Sequence, residues 1–182
     1  MFLRRLKHNA WISFIGFMMK FVGGPSYMLF AGDGSSRQLC KQIARDGLKK
    51  VLVVTDKPLV ELGVAGQAMA GLQESGVEVV VFDGVLPDPT YQVVAQGADL
   101  YRREGCDAIL AIGGGSSIDA AKVMGLSVTH EGDPKDYVGF GKVKDPLPPF
   151  YAIPTTSGTG SEATMGAVIS DNETHEKGII SG

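Results

Sequence analysis

Residues 111–122 have the sequence AIGGGSSIDAAK, three glycines between an apolar stretch and an alanine-rich one. The apolar residues predict a strand and the residues after the glycines a helix, so the glycines lie in the turn between them. Such a turn can bring backbone N–H groups and the positive end of a helix to one point, where an anion binds. Alternatively the turn only connects the two elements, because Ser116 and Asp119 have the spacing of a capping box. Taken alone, the stretch leaves both interpretations open.

Outward from this turn, strand and helix patterns alternate along the chain. The predicted strands cover residues 26–34, 49–56, 77–84, 106–115 and the start of 150–164, and the predicted helices cover residues 35–47, 59–76, 91–105 and 116–130. Runs such as VLVV are typical of strands buried on both faces of a parallel sheet. The order predicts an α/β fold with a doubly wound parallel sheet, whose ligands bind at the carboxyl ends of the strands.

Two further segments complete the predicted organisation. Residues 131–149 are rich in Pro, Gly and charge, which indicates a surface excursion. Residues 165–182 predict two strands joined by a polar hairpin. The chain has no internal repeats, and its 182 residues, 44% of them hydrophobic, are enough for one globular domain.

Charge and cysteine content exclude several classes of protein. The formal net charge is −3 and the basic residues form no stripe, so no nucleic-acid partner is expected. Cys40 and Cys106 are isolated, with no second cysteine or histidine at ligand spacing. We therefore expect two reduced thiols in a cytoplasmic protein rather than a disulfide framework or a zinc site.

The first 17 residues predict a separate N-terminal extension. Arg4, Arg5 and Lys7 precede the apolar stretch AWISFIGFMM, an arrangement similar to the start of a signal peptide. The stretch ends at Lys20 and is shorter than the roughly 20 residues of a membrane span. Three interpretations remain, an export or organellar signal, a membrane-surface anchor, and a translated extension ahead of a start near Met18 or Met19. We favour the extension and expect no membrane partner.

Three polar or glycine-rich features fall at predicted strand ends, and together they predict a nucleotide site. They are Asp56, the glycines at 113–115 and the sequence TTSGTGSE at 155–162. Separately each is weak, because Asp56 can be a turn former and Thr159 and Glu162 can cap a helix. Side by side at one sheet edge, they can line one crevice. An acidic residue there accepts ribose hydroxyls and repels a 2′-phosphate, which favours NAD over NADP.

The remaining ionisable residues give little sign of a site. His8, His130 and His175 are scattered, and we expect solvated side chains rather than ligands. Lys177 lies in the polar stretch DNETHEKG, and by composition alone it is a surface charge.

Several motifs in this order carry a family resemblance. AIGGGSSIDAAK and AIPTTSGTGSEAT, with VVTDKPL and FDGVLPDPT before them, resemble the N-terminal half of the iron-containing (group III) alcohol dehydrogenases. The resemblance covers about residue 19 to residue 182. It implies a Rossmann-like, dehydroquinate synthase-like nucleotide domain, here residues 18–182. We expect this domain to be truncated at its C-terminal end, with the family's helical domain absent.

The resemblance also assigns site residues. It implies Asp56 for the adenosine ribose, Gly114, Gly115 and Ser116 for the pyrophosphate, Thr155, Thr156 and Thr164 for the wall of the cofactor groove, and Lys177 for the nicotinamide half. The last assignment reverses the interpretation from composition. Asp88 joins this set, but it stands where the family often has Asn, so the role of its added charge is open.

The activity that the resemblance implies is hydride transfer between an alcohol or aldehyde and NAD(H). In the family an Asp and three His hold a divalent metal, usually iron, and all four lie beyond the matching segment. Iron is therefore expected only with the missing domain, the catalytic residues stay unassigned, and a homo-oligomer is possible. The alternative hypothesis is a stand-alone or remnant nucleotide-binding module without activity.

Overall fold

The computed structural model describes residues 27–182 of the chain. The predicted extension over residues 1–17 lies outside the described residues. Within residues 27–182, no helix is both long enough and apolar enough to span a bilayer.

The main sheet has four parallel strands in the order β2-β1-β3-β5. These strands are β1 (Lys50–Val54), β2 (Glu78–Phe82), β3 (Ala108–Gly113) and β5 (Phe150–Pro154). All residues of β3 are buried, as are four of the five in β1, which explains their near-continuous apolar sequence. The α/β class and the parallel sheet are confirmed.

Helices cover both faces of this sheet. They are α1 (Ser35–Arg45), α2 (Lys57–Glu61), α3 (Val64–Glu74), α4 (Tyr91–Glu104) and α5 (Gly115–Thr129). Successive residues of β1 divide between two cores, because Val51 and Val53 pack on the face that α1 and α3 cover, whereas Leu52 and Val54 pack on the face of α4 and α5. The fold is therefore a three-layer sandwich.

The strand order creates a crevice between β1 and β3. The chain leaves β1 for β2 on one side and leaves β3 for β5 on the other. The loops that follow β1 and β3 consequently diverge, and the carboxyl edge between them is open. Asp56 and the glycine turn follow these two strands directly.

A second, smaller sheet packs against α5. It contains β4 (Gly139–Phe140), β6 (Gly166–Ser170) and β7 (Lys177–Ser181) in the order β4-β7-β6. The pair β6 and β7 is antiparallel, which confirms the two predicted strands and their polar hairpin. Short 3-10 helices occur at Pro134–Tyr137 and Ser161–Ala163.

Two predicted elements differ in the structure. Residues 27–34 of the predicted first strand form no strand, and Tyr27, Met28 and Leu29 are largely exposed. No strand within residues 27–182 pairs with them, and apolar residues alone do not make a strand. The predicted helix over residues 59–76 is interrupted at Gly63, whose φ of 74° places it in the left-handed region. This glycine separates α2 from α3.

Candidate nucleotide-binding site

A cleft of about 780 Å³ lies at the carboxyl edge between β1 and β3. Six of the nine predicted site residues line it, namely Asp56, Gly114, Gly115, Ser116, Thr155 and Thr156. Apolar side chains form another part of its wall, contributed by Leu59, Val64, Val85, Leu86 and Pro87. The structure therefore brings together residues from three strand ends that lie far apart in the sequence.

The glycine turn presents an uncapped helix end to this cleft. Helix α5 begins at Gly115, its N-cap is Gly114, no side chain caps it, and its first turn contains no acidic residue. The capping-box alternative is wrong, because Asp119 Oδ2 accepts a hydrogen bond from Val168 N at 3.0 Å instead. The first N–H groups of α5 have no carbonyl partner within the helix. With the positive end of a 15-residue helix, they fit a bound anion such as a pyrophosphate.

The glycine turn lies close against the loop that follows β5, the β5–β6 turn (residues 155–165). A Cβ on Gly114 would lie 2.9 Å from Thr156 Oγ1, and one on Gly115 would lie 3.2 Å from Ser161 Oγ. Both distances are tighter than ordinary van der Waals contact. The β5–β6 turn thus closes over the glycine turn on one side, and the backbone stays open to the cleft on the other.

Asp56 has a structural role and a place in the cleft. It is the N-cap of α2, and its Oδ1 accepts a hydrogen bond from Leu59 N at 3.0 Å, so the expectation of a turn former is met. Its Oδ2 faces the glycine turn, 3.7 Å from where a Cβ on Gly113 would stand. One carboxylate oxygen holds the helix, and the other remains for a ligand in the crevice.

The threonines after β5 are held by the main sheet. Gly113 pairs with Pro154 across β3 and β5, and Thr155 N donates to Gly113 O at 2.9 Å. This bond extends the ladder by one residue past the strand. Thr155 and Thr156 are exposed at the mouth of the cleft.

The other three predicted residues lie outside the cleft lining, on the side of the small sheet. Lys177 Nζ donates to Asp88 Oδ1 at 2.6 Å, so these two residues contact each other. Asp88 has a φ of 55°, in the left-handed region that Asn and Asp adopt more readily than most residues. That backbone explains how Asp can stand where the family often has Asn.

Thr164 is bound to a lysine that the sequence analysis missed. Lys122 of α5 is only 9% exposed, and its Nζ donates to Gly166 O at 2.7 Å and to Thr164 Oγ1 at 3.3 Å. Burial lowers the pKa of Lys122, and the nearby charge of Asp119 opposes this shift. Asp119 Oδ1 lies 3.6 Å from Lys122 Nζ. One feature of the sequence indicates that Lys122 is buried: it lies in a predicted helix that is otherwise rich in small and apolar residues.

The described histidines and cysteines form no site. His175 is exposed as expected, whereas His130 is half-buried, packs edge-on against Tyr137 at 5.3 Å and was wrongly expected to be solvated. Cys40 and Cys106 are free and buried, and burial raises the pKa of the Cys106 thiol to about 11. Within residues 27–182, no three His, Cys, Asp or Glu side chains are grouped so as to hold a metal ion. The residues present in this part of the chain therefore do not fit the iron that the family resemblance implies.

A crevice at the switch point of a doubly wound sheet, with a glycine turn and an uncapped helix, is typical of nucleotide-binding α/β domains. The model of the family described as "Iron-containing alcohol dehydrogenase" matches residues 26–182. The 1,3-propanediol dehydrogenase of Citrobacter freundii is 43% identical over 159 residues, which are 86% of this chain and 39% of that protein. The chain therefore belongs to the iron-containing alcohol dehydrogenase family.

Solved structures agree with this assignment. A crystal structure of 1,3-propanediol oxidoreductase superposes with a TM-score of 0.80 at 40% identity, over 83% of this chain and 40% of that chain. Sulfoacetaldehyde reductase from Bifidobacterium kashiwanohense, solved in complex with NAD⁺, gives a TM-score of 0.74 at 29% identity, over 86% of this chain and 44% of that chain. The chain thus spans about two fifths of the length of these relatives.

Proposed function

We propose that this chain is the nucleotide-binding portion of an NAD-dependent alcohol dehydrogenase that transfers hydride between an alcohol or aldehyde and NAD(H). The observation that carries the proposal is the uncapped N-terminus of α5, which opens into the same cleft as Asp56. Family membership and the relative solved with NAD⁺ support it.

In this proposal the cleft holds the ADP part of the cofactor. The first N–H groups of α5 donate to the pyrophosphate, which therefore needs no lysine or arginine in the turn. Asp56 Oδ2 accepts hydrogen bonds from the adenosine ribose, and its charge disfavours a 2′-phosphate. The apolar side chains of Val64, Val85 and Leu86 provide a surface on which the adenine packs.

The nicotinamide half then extends toward the small sheet. Thr155 and Thr156 line the cleft, whereas Thr164 and the Lys177–Asp88 pair lie outside its lining. A bound nicotinamide ring supplies the hydride acceptor or donor. The residues of this chain bind and orient it.

The catalytic metal and the substrate pocket are proposed to come from protein outside residues 27–182. The relatives are more than twice as long as this chain, which leaves room for both. A divalent metal there would stabilise the alkoxide from which hydride leaves. The substrate class we propose is a small alcohol or aldehyde.

Titration of the purified chain with NADH, followed by nicotinamide fluorescence, tests the cofactor assignment. We expect saturable binding, competition by ADP, and weaker binding of NADPH. Absence of competition by ADP, or equal affinity for NADPH, would contradict the placement in the cleft. Alcohol oxidation with added Fe²⁺ separates the alternatives when the full natural gene product is assayed, because a dehydrogenase turns over and a nucleotide-binding module binds NADH without turnover.

A further inference from the structure

Lys122 is a buried charge that the proposed cofactor contacts do not use. It lies in α5, within two turns of the glycine turn, and its side chain is 11% exposed. Placing an ammonium group in the interior costs free energy unless it is paired and hydrogen-bonded. Three oxygens compensate it here, Gly166 O at 2.7 Å, Thr164 Oγ1 at 3.3 Å and Asp119 Oδ1 at 3.6 Å.

Two of these partners lie where the β5–β6 turn leads into β6. Gly166 is the first residue of β6, and Thr164 precedes it by two positions. One turn earlier on α5, Asp119 Oδ2 accepts from Val168 N in the same strand. The two charged residues therefore fasten one helix to three points between Thr164 and Val168. The opposite end of the same turn, Thr155, is held by the ladder of the main sheet.

We propose that Lys122 is a positioning residue, which fixes the hydroxyl of Thr164 and the end of the β5–β6 turn where the nicotinamide half of a dinucleotide requires them. This inference rests on the proposed function. Because Lys122 Nζ has no lone pair to offer, Thr164 Oγ1 must accept from it, and the threonine O–H donates instead toward the carbonyls of Ser161 at 3.4 Å and Gly166 at 3.5 Å. Lys122 itself faces the carbonyl of Gly166 and is absent from the cleft lining.

The test compares Lys122→Met with the unmodified chain by NADH and ADP titration. Methionine keeps most of the buried stem and removes the charge. We expect NADH affinity to fall about tenfold, the effect of losing one hydrogen bond. ADP affinity should stay within twofold, because its contacts in the cleft do not include Thr164. Lys41→Met, at an exposed position of α1, is the matched control.

A double-mutant cycle with Thr164→Val identifies the route of the effect. If Lys122 acts through the Thr164 hydroxyl, Lys122→Met weakens NADH binding much less in the Thr164→Val background than in the unmodified one. Equal losses in both backgrounds, or a parallel loss of ADP affinity, would overturn the inference. If Lys122→Met does not fold by circular dichroism, Lys122→Gln replaces it under the same criteria.

These outcomes are distinct from failure of the proposed function. If the unmodified chain binds neither NADH nor ADP, the cofactor assignment itself is wrong. If it binds both and Lys122→Met binds both equally well, the cofactor assignment stands and the positioning role of Lys122 is refuted.

Discussion

The two sides of the site are built in different ways. On the cleft side, Asp56 and the glycine turn are placed by backbone, because each directly follows a strand of one parallel ladder. On the side of the small sheet, Thr164, Asp88 and Lys177 are placed by side-chain bonds to residues 42 and 89 positions away. Substitutions on the cleft side should therefore act locally on ligand contacts. Substitutions on the small-sheet side should act through partners.

Gly114→Ala is expected to have the largest effect. The new Cβ would lie 2.9 Å from Thr156 Oγ1, so the Thr156 side chain, which lines the cleft, would have to move. Because the new methyl group and the displaced threonine both lie in the proposed pyrophosphate site, we expect NADH affinity to fall about 30-fold, equivalent to about 2 kcal/mol of binding free energy. Gly66→Ala is the control, because a Cβ at Gly66 meets no atom within 4 Å. Equal NADH affinities in the two variants would show that the closure of this turn is unimportant.

Asp56 allows its two roles to be separated. Asp56→Asn keeps an oxygen for Leu59 N and removes the charge, so we expect the preference for NADH over NADPH to fall about tenfold with little change in stability. Asp56→Ala removes the cap as well and should lower the free energy of unfolding by about 0.5–2 kcal/mol. Cofactor titration and urea unfolding measure the two effects. If both variants keep the preference for NADH over NADPH, the ribose does not bind at Asp56.

On the small-sheet side, Asp88→Asn should have a smaller effect. Asn tolerates the left-handed backbone at this position and removes the charge that pairs with Lys177. Because both side chains are more than half exposed, the pair contributes little, and we expect NADH affinity to change by less than about fivefold. The change should depend on salt concentration. If Asp88→Asn lowers NADH affinity as much as Gly114→Ala does, the small-sheet side contributes as much to binding as the cleft side does.

The smallest effect concerns the hairpin between β6 and β7. The Lys135 ammonium and the N–H groups of Glu173 and Thr174 hold the pKa of Asp171 below its usual value. A depressed carboxyl pKa adds stability that is present above about pH 4 and is lost as the pH falls below it. Asp171→Asn should therefore be less stable than the unmodified chain at pH 7, and the difference should shrink toward pH 3. Thermal unfolding at both pH values measures it, and a constant difference would contradict the assignment.

The sequence was sufficient for the parts that depend on local pattern. The α/β class, Asp56 at a strand end and the glycine turn follow from runs of apolar residues and glycines whose neighbours in space are also neighbours in the chain. The capping box failed because Asp119 bonds to Val168, 49 positions away. Lys122 was missed for the same reason, since its contact with Thr164 spans 42 positions, although the small and apolar residues around it did indicate its burial.

Helix α5 contributes to both the cleft side and the small-sheet side of the proposed site. The main sheet and the small sheet share no strand, and α5 packs against both. Asp119 and Lys122 lie on the face of α5 that contacts β6, so a substitution there changes the contact between α5 and the small sheet without touching the pairing within either sheet. Proteins built on this plan can therefore vary the small-sheet side of the proposed site while the cleft side keeps its geometry.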